Sequence, residues 1–163
     1  MIDKRVSDNR ALARRRWVFR MASFVSITAV ILSFIVAWRR DAMVVDIHVR
    51  ELSKPVESLQ ATFDEIGRLP AEVPELRNMR LAYYASDAER YYALHTDEPV
   101  ILAALPTTSL LIWEDGRAII IYHQGEFRAE WMAGSTYGPM RLRQEQAVET
   151  FQRERSEQPI ILP

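Results

Sequence analysis

The stretch Met21–Trp38, MASFVSITAVILSFIVAW, decides the architecture of this chain because its 18 residues carry no charge. Trp17 and Trp38 lie 21 residues apart, which at ~1.5 Å per residue is roughly 32 Å, close to the ~30 Å hydrocarbon core of a bilayer. Tryptophan prefers the interface between lipid and water. We therefore predict a transmembrane helix over residues 17–38.

The charges beside this span predict its orientation. Residues 1–20 contain seven Lys or Arg and two Asp, whereas residues 39–58 contain four basic and four acidic residues. Cytoplasmic flanks carry the excess of Lys and Arg, so the N-terminus is expected in the cytoplasm and the C-terminal domain outside it. The sequence after Trp38 offers no small-x-small cleavage site, which favours an anchor over a removed signal peptide. The residues expected at the membrane interface are Arg14, Arg15, Arg16, Trp17, Trp38, Arg39 and Arg40.

The composition excludes several classes of chemistry. The 163 residues include no cysteine, which rules out disulfides, cysteine-ligated zinc, iron–sulfur clusters and thiol catalysis. An exported domain without disulfides suits a bacterial protein, and the bacterial inner membrane is the expected location. The net charge of −1 gives no indication of a nucleic-acid partner.

A second helix is predicted after the span, as a stalk over residues 39–68. Its apolar positions alternate in spacing between four and three, the a/d pattern of a coiled coil. One interpretation is pairing with a second copy or with a partner's helix; the other is an amphipathic helix folded back on its own domain. Pro55 is expected to break the helix near Ser53, whose side chain is a candidate cap, and residues 43–50 are also compatible with a strand. The candidate helix-pairing residues are Val45, Val49, Leu52, Val56, Leu59, Phe63 and Ile66.

Small residues form a separate stripe within the span, which would allow another membrane helix to approach closely. This stripe consists of Ala22, Ser26, Ala29, Ser33 and Ala37. The organisation expected from the sequence is therefore a basic cytoplasmic arm (1–16), a transmembrane helix (17–38), an amphipathic stalk (39–68) and an extracytoplasmic α+β domain (69–163).

The outer domain is expected to begin after Gly67, which ends the stalk helix. Residues 79–85 are predicted as a strand, and residues 99–105 form another short apolar run. Between them, residues 87–95 are predicted as a helix capped by Ser86, although Tyr91 and Tyr92 are also compatible with a strand.

Two turn signals predict a three-stranded antiparallel meander. Asp115-Gly116 would join strands over 109–114 and 117–123, and Gln124-Gly125 would lead into a strand over 127–132. With two-residue turns, eight apolar residues of the three strands fall on one face of the sheet. That face is Leu111, Trp113, Ala118, Ile120, Tyr122, Phe127, Ala129 and Trp131.

The C-terminal part is predicted to hold one helix over residues 141–156, with Leu142, Val148 and Phe151 on its apolar side. Residues 134–138 are interpreted as a flexible link into it. The tail at 159–163 is apolar, and we expect it to add an edge strand, dock on the core or occupy a partner's groove.

No catalytic, cofactor or metal site is indicated by the sequence. His48, His95 and His123 show neither His-x-x-x-His nor His-Glu-x-x-His spacing. Aromatic residues are the one candidate lining for a ligand pocket, although six of them in a β-rich domain are more simply its core. These six are Tyr83, Tyr84, Tyr91, Tyr92, Trp113 and Trp131.

The order of arm, span, stalk and small domain resembles that of bitopic assembly proteins of bacterial envelope machines, such as divisome linkers and pilus or secretion-platform subunits. The resemblance covers the layout of the chain. It implies a non-enzymatic scaffold or accessory subunit that binds a membrane-protein partner or itself. The alternative is a membrane-anchored domain that senses or binds a ligand.

Overall fold

The computed structural model describes the backbone of residues 2–74, 76, 79, 81–84 and 86–157, and side chains from Arg14 onward. The chain divides into two compact units, residues 1–40 and 41–163. The N-terminal helix, α1, runs over Ile2–Glu51 and therefore contributes to both. The predicted tail at 159–163 lies outside the described residues.

The first unit is helical throughout its described length. Its apolar side chains are exposed on every side, and none of the uncharged stretch is buried. By length and composition it is the one helix among the described residues that could cross a membrane; a signal sequence would pass the same test. Residues 43–50 continue α1, so the strand alternative for them is wrong.

The helix break expected near Pro55 is confirmed. Helix α2 runs over Ser53–Ile66 and starts directly after Leu52, which occupies the N-cap position without a side-chain cap. Ser53 does not cap it, because its hydroxyl donates back to the carbonyl of Arg50 at 2.8 Å. Pro55 is tolerated because it stands in the first turn, where backbone N–H groups lack intrahelical acceptors. Gly67 ends α2 in the left-handed conformation, φ 63°, as predicted.

The second unit is built on a four-stranded antiparallel sheet in sequential order. Its strands are β1 (Ala82–Tyr83), β2 (Val100–Ala104), β3 (Gly116–His123) and β4 (Glu126–Ala133). Helix α3 (Asp87–His95) connects β1 to β2, and helix α4 (Gly134–Glu157) follows β4. The expected α+β class and an antiparallel meander are therefore present. The strands of the sheet are not the three that the sequence predicted for the meander.

The second predicted turn is correct in position and register. Gln124 and Gly125 have φ values of 49° and 92°, the two positive values that a type I′ turn requires. Ala118 pairs with Trp131 across β3 and β4, as the predicted register demands. Six of the eight residues of the predicted face lie in or against one core cluster: Ala118, Ile120, Tyr122, Phe127, Ala129 and Trp131.

The first predicted turn is wrong. Gly116 starts β3 itself, residues 109–114 form no strand, and β2 is the neighbour of β3 instead. Leu111 and Trp113 consequently leave the predicted face and lie in a loop. The backbone N–H groups that a strand would have used are taken by carboxylates, as described below.

The sheet is covered on both faces. Leu52 and Leu59 of the α2 region pack with Leu102 and Ile120 on one face. Tyr137 of α4 packs with Ile119 and Ile121 on the other. Because both faces are buried, β3 reads as a continuous apolar run rather than an alternating one.

The two remaining helices agree with the sequence in part. Ser86 caps α3 through a capping box with Glu89, as expected. Helix α4 begins at Gly134, so residues 134–138 are helical and the prediction of a flexible link there is wrong. At this start of the helix, the Glu114 carboxylate accepts hydrogen bonds from the Ser135 N–H at 2.6 Å and from the Ser135 hydroxyl at 2.8 Å. Val148 is buried as predicted, whereas Leu142 is exposed.

Candidate functional site

The most unusual polar group of the second unit is the side chain of Asp41, which is completely buried. Its carboxylate accepts hydrogen bonds from the backbone N–H groups of three successive residues: Leu111 at 3.0 Å to both oxygens, Ile112 at 2.7 Å and Trp113 at 3.1 Å. A buried carboxylate is costly unless it is well hydrogen-bonded. These donors provide that compensation, and in return the carboxylate fixes the path of the loop.

A second carboxylate holds the start of the same loop. Asp115 accepts hydrogen bonds from the hydroxyl of Ser109 at 3.0 Å and from the backbone N–H of Leu110 at 2.9 Å. The backbone oxygen of Asp115 accepts a bond from the N–H of Gly134 at 2.8 Å, which ties the loop to the start of α4. We call residues Ser109–Asp115 the Asp41 loop. Four successive backbone donors in it, residues 110–113, are bound by side-chain carboxylates.

The Asp41 loop is apolar in sequence, Ser-Leu-Leu-Ile-Trp-Glu-Asp. Leu111 at its tip is 63% exposed, whereas Leu110, Ile112 and Trp113 are half-buried. The loop backbone is therefore held by carboxylates, while the large apolar side chain of Leu111 is exposed at its tip.

A polar cluster lies on the opposite side of the sheet from α2, between Tyr84, Glu89, Tyr137 and Arg141. The guanidinium of Arg141 donates to Glu89 at 2.6 Å and lies 3.7 Å from the ring centre of Tyr84. The hydroxyl groups of Tyr84 and Tyr137 are 2.6 Å apart. The Arg141 and Glu89 side chains are 13% and 14% exposed, so this pair is largely shielded from water.

Ionisation in this cluster is shifted in two directions. Burial by itself would raise the pKa of Glu89, but the hydrogen bonds from Arg141 and Ser86 and the charge of Arg141 together hold that pKa below its ordinary value. Burial, and then the hydrogen bond with Tyr137, raise the pKa of Tyr84 to about 12. Both shifts favour the state in which the network is intact at neutral pH, Glu89 ionised and Tyr84 protonated.

Four of the six aromatic residues considered for a pocket lie on the two faces of the sheet, and a fifth, Trp113, lies in the Asp41 loop. Tyr83, Tyr92 and Trp131 pack on the α2 side, and Tyr84 packs on the α4 side. Tyr91 stacks on His95 with ring centres 3.9 Å apart. These residues do not surround one common cavity. Among the described residues, Tyr83 and Tyr91 each contribute to the wall of a separate open groove, of about 430 and 620 Å³ respectively.

The candidate helix-pairing residues lie mostly against the sheet. Leu52 and Leu59 are fully buried in the core of the second unit, and Val49, Val56 and Phe63 pack against it; Val45 is half-buried and Ile66 is exposed. This is the amphipathic-helix arrangement that the sequence left open. Pairing with another helix through these residues stays a prediction. It would require the apolar face of the stalk to separate from the core of the second unit.

The remaining candidates from the sequence are the membrane-interface residues and the three histidines, and they form no common site. The candidate interface residues Arg14, Arg15, Arg16, Trp17, Trp38, Arg39 and Arg40 all belong to α1 and are exposed. Each of the three histidines has one ring nitrogen within 2.7–3.0 Å of a backbone carbonyl: Val44 for His48, Tyr91 for His95 and Asp97 for His123. Within the described part of the chain, no three His, Asp or Glu residues are grouped closely enough to hold a metal ion.

Two buried polar residues are not indicated by the sequence patterns. In the sequence, Asp41 is noticeable only as one of the charged residues after the span. Gln144 is noticeable only as part of a charged helix that has few apolar residues. Gln144 binds both backbone groups of Ile101, at 2.9 and 3.0 Å. Its spacing from Tyr137, Arg141 and Val148 is that of one helix face, which is the signal that would have revealed it.

Comparisons with known protein families, with curated proteins and with solved structures found no match to this chain.

Proposed function

We propose that this protein is a bitopic membrane protein whose outer domain is a non-enzymatic scaffold or accessory subunit of an envelope complex. The N-terminal arm is cytoplasmic, residues 17–38 cross the inner membrane, and the second unit is extracytoplasmic. The single observation that carries the anchor is that the uncharged stretch of α1 has no side chain buried by the rest of the described chain.

The energetic argument for lipid rests on fourteen large apolar side chains from Trp17 to Trp38, each at least 44% exposed. Leaving such a side chain in water rather than burying it forfeits roughly 1.5–3 kcal/mol. With their exposed fractions taken into account, the fourteen side chains forfeit roughly 12–25 kcal/mol in water. For comparison, a typical domain is stabilised by only ~5–15 kcal/mol. Successive residues such as Phe34, Ile35 and Val36 point in different directions around the helix, so a medium on all sides explains the pattern better than a partner on one side.

The scaffold part of the proposal is supported by what the second unit contains. Three of its polar side chains, Asp41, Glu89 and Gln144, hold loops and helices in place through their hydrogen bonds. The layout of the chain favours an assembly role. We assign association in the membrane to the small-residue stripe of the span, because the stalk face is packed on the sheet.

The anchor and its orientation can be tested together with single cysteines, since the chain has none of its own. In intact cells with a permeabilised outer envelope, a membrane-impermeant maleimide is expected to label Leu142→Cys and to spare Ser7→Cys until the inner membrane is opened. Carbonate washing should leave the protein in the membrane. Release into the supernatant would contradict the anchor, and the reverse labelling pattern would contradict the orientation.

Association can be tested by site-specific photocrosslinking within the span. A crosslinker at Ser33 is expected to give a defined protein adduct, either a second copy or one membrane partner. The matched control is Ile31, which lies about 200° around the helix from Ser33 and faces lipid in the proposal. Monomers alone at both positions, and at exposed positions of the outer domain such as Leu142, would contradict the scaffold role.

A further inference from the structure

The Asp41 loop presents an apolar tip at a defined place along the chain. Leu111 is 63% exposed and is flanked by Leu110, Ile112 and Trp113. A single exposed leucine on a protein surface needs no explanation. What distinguishes Leu111 is that the backbone around it is bound to a residue that closely follows the proposed span.

The distance between that loop and the end of the span is bounded by the chain itself. Asp41 is three residues after Trp38 in the same helix, α1, so at ~1.5 Å of rise per residue the two lie roughly 4.5 Å apart along the helix axis. The headgroup layer on each side of the hydrocarbon core is ~5–8 Å thick. Since the N–H groups of Leu111, Ile112 and Trp113 lie 2.7–3.1 Å from the Asp41 carboxylate, the loop backbone is held at the height of the headgroups.

The hydrogen bonding of the loop suits that environment. In an apolar medium an unpaired backbone donor costs several kcal/mol, so irregular backbone is normally excluded from lipid. Here Asp41 and Asp115 accept bonds from the N–H groups of residues 110–113. The loop can therefore place apolar side chains against lipid without exposing those donors, and its backbone is already ordered before contact.

We propose that the Asp41 loop lies in the interfacial layer of the outer leaflet, with Leu111 inserted among the lipid acyl chains. The loop is then a second membrane contact, which fixes the height and tilt of the outer domain against the bilayer surface. This inference rests on the proposed function, because it requires that residues 17–38 cross the bilayer.

The test uses the full-length protein with single spin-labelled cysteines in nanodiscs of phosphatidylethanolamine and phosphatidylglycerol. Accessibility to oxygen reports lipid, and accessibility to a water-soluble nickel chelate reports water. The variants are Leu111→Cys in the loop, Leu142→Cys as a leucine of similar exposure (56%) on α4, Glu126→Cys at the start of β4, beside the end of β3 that is farther from the loop, and Val30→Cys in the span.

The expected result is an oxygen-to-nickel accessibility ratio at Leu111→Cys about threefold or more above those at Leu142→Cys and Glu126→Cys, as for an interfacial group buried ~5–10 Å. A ratio at Leu111→Cys equal to those controls would overturn the inference. Low access to both reagents would also overturn it, since protein would then cover the tip. If Val30→Cys itself reports water, the proposed function fails first; if Val30→Cys reports lipid and Leu111→Cys does not, only the loop contact fails.

Discussion

The carboxylate of Asp41 accepts a 2.7 Å hydrogen bond from the backbone N–H of Ile112, 71 residues further along the chain. Asp41 is fully buried, and the two neighbours of Ile112, Leu111 and Trp113, bind it in the same way. This relationship joins the start of the second unit to the loop between β2 and β3. It replaces the hairpin that the sequence of the loop predicts.

Replacing Asp41 by asparagine should lower the free energy of unfolding of the second unit by about 2–4 kcal/mol, because hydrogen bonds to a charged group contribute ~1.5–3 kcal/mol each and the amide nitrogen cannot accept the bonds that the lost oxygen accepted. The measurement is denaturant unfolding in detergent, followed by tryptophan fluorescence. The matched control is Asp46→Asn on the same helix, whose exposed pair with Arg50 should matter by less than ~0.5 kcal/mol. Equal effects of the two changes would contradict a special role for Asp41.

Acidification should weaken the domain through Glu89. Its pKa is lower in the folded protein than the ordinary value of 4.5, so its contribution to stability is fully present above pH 4.5 and is lost as the pH falls through the folded pKa. The stability difference between the wild type and Glu89→Gln is therefore expected to shrink steadily below pH 4.5. Thermal unfolding at a series of pH values measures it. Glu145→Gln, at a half-exposed partner of Arg141, is the control and should lower the stability at neutral pH by less than Glu89→Gln does.

At high pH, Tyr84 gives the opposite pH dependence: the domain should lose stability as the pH rises. Its pKa is raised to about 12, so the folded state favours the protonated phenol, and the stability that this provides is lost as the pH rises from 10 towards 12. In an ultraviolet titration, Tyr84→Phe should remove one tyrosinate transition near pH 12. If Tyr84→Phe removes a transition near pH 10 rather than near pH 12, the phenol of Tyr84 is not buried from water and the prediction is wrong.

Two glycines should differ greatly in how much an alanine replacement changes the free energy of unfolding. A Cβ at Gly116 would clash with the backbone oxygen of Met132 and lie 2.9 Å from the ring of Trp131, so Gly116→Ala must displace strand β4. We expect a loss of about 2–3 kcal/mol or more in unfolding free energy. Gly138 lies in α4 directly before Pro139, where an added Cβ would meet nothing within 4 Å apart from its chain neighbours. The gain in helix propensity is opposed by crowding against the proline ring, so Gly138→Ala should change the unfolding free energy by less than ~1 kcal/mol. Destabilisation of similar size at both sites would contradict this account.

Gln144 should be difficult to replace although it lies on a highly charged helix. It donates to and accepts from the backbone of Ile101, next to the irregular register of β2. Gln144→Met would leave both buried backbone groups unpaired, at about 1–3 kcal/mol for each. Chemical denaturation should show the loss, and hydrogen exchange of the Ile101 amide should accelerate. Gln146→Met, at an exposed position two residues further on, should leave both measurements unchanged.

Much of the local structure was predictable because its causes lie within a few residues. The capping box of Ser86 and Glu89 and the left-handed stop at Gly67 each depend on side chains or backbone freedom at the site itself. The turn at Gln124-Gly125 fixed the register of β3 and β4, and with it six of the eight face residues, because strand pairing propagates outward from a tight turn. Asp115-Gly116 has the same local chemistry and yet forms no such turn.

The sequence by itself determined the long apolar helix, its break before Pro55 and the hairpin of β3 and β4, since hydrophobic period, proline geometry and turn chemistry act over short distances. Tertiary structure decided which partner the Asp41 loop uses and where the stalk face packs. The carboxylate that binds Ile112 and the sheet that covers Leu59 come from distant parts of the chain. A backbone N–H pairs with whichever acceptor the fold brings within hydrogen-bond distance, and no spacing within residues 109–115 specifies that the acceptor is Asp41.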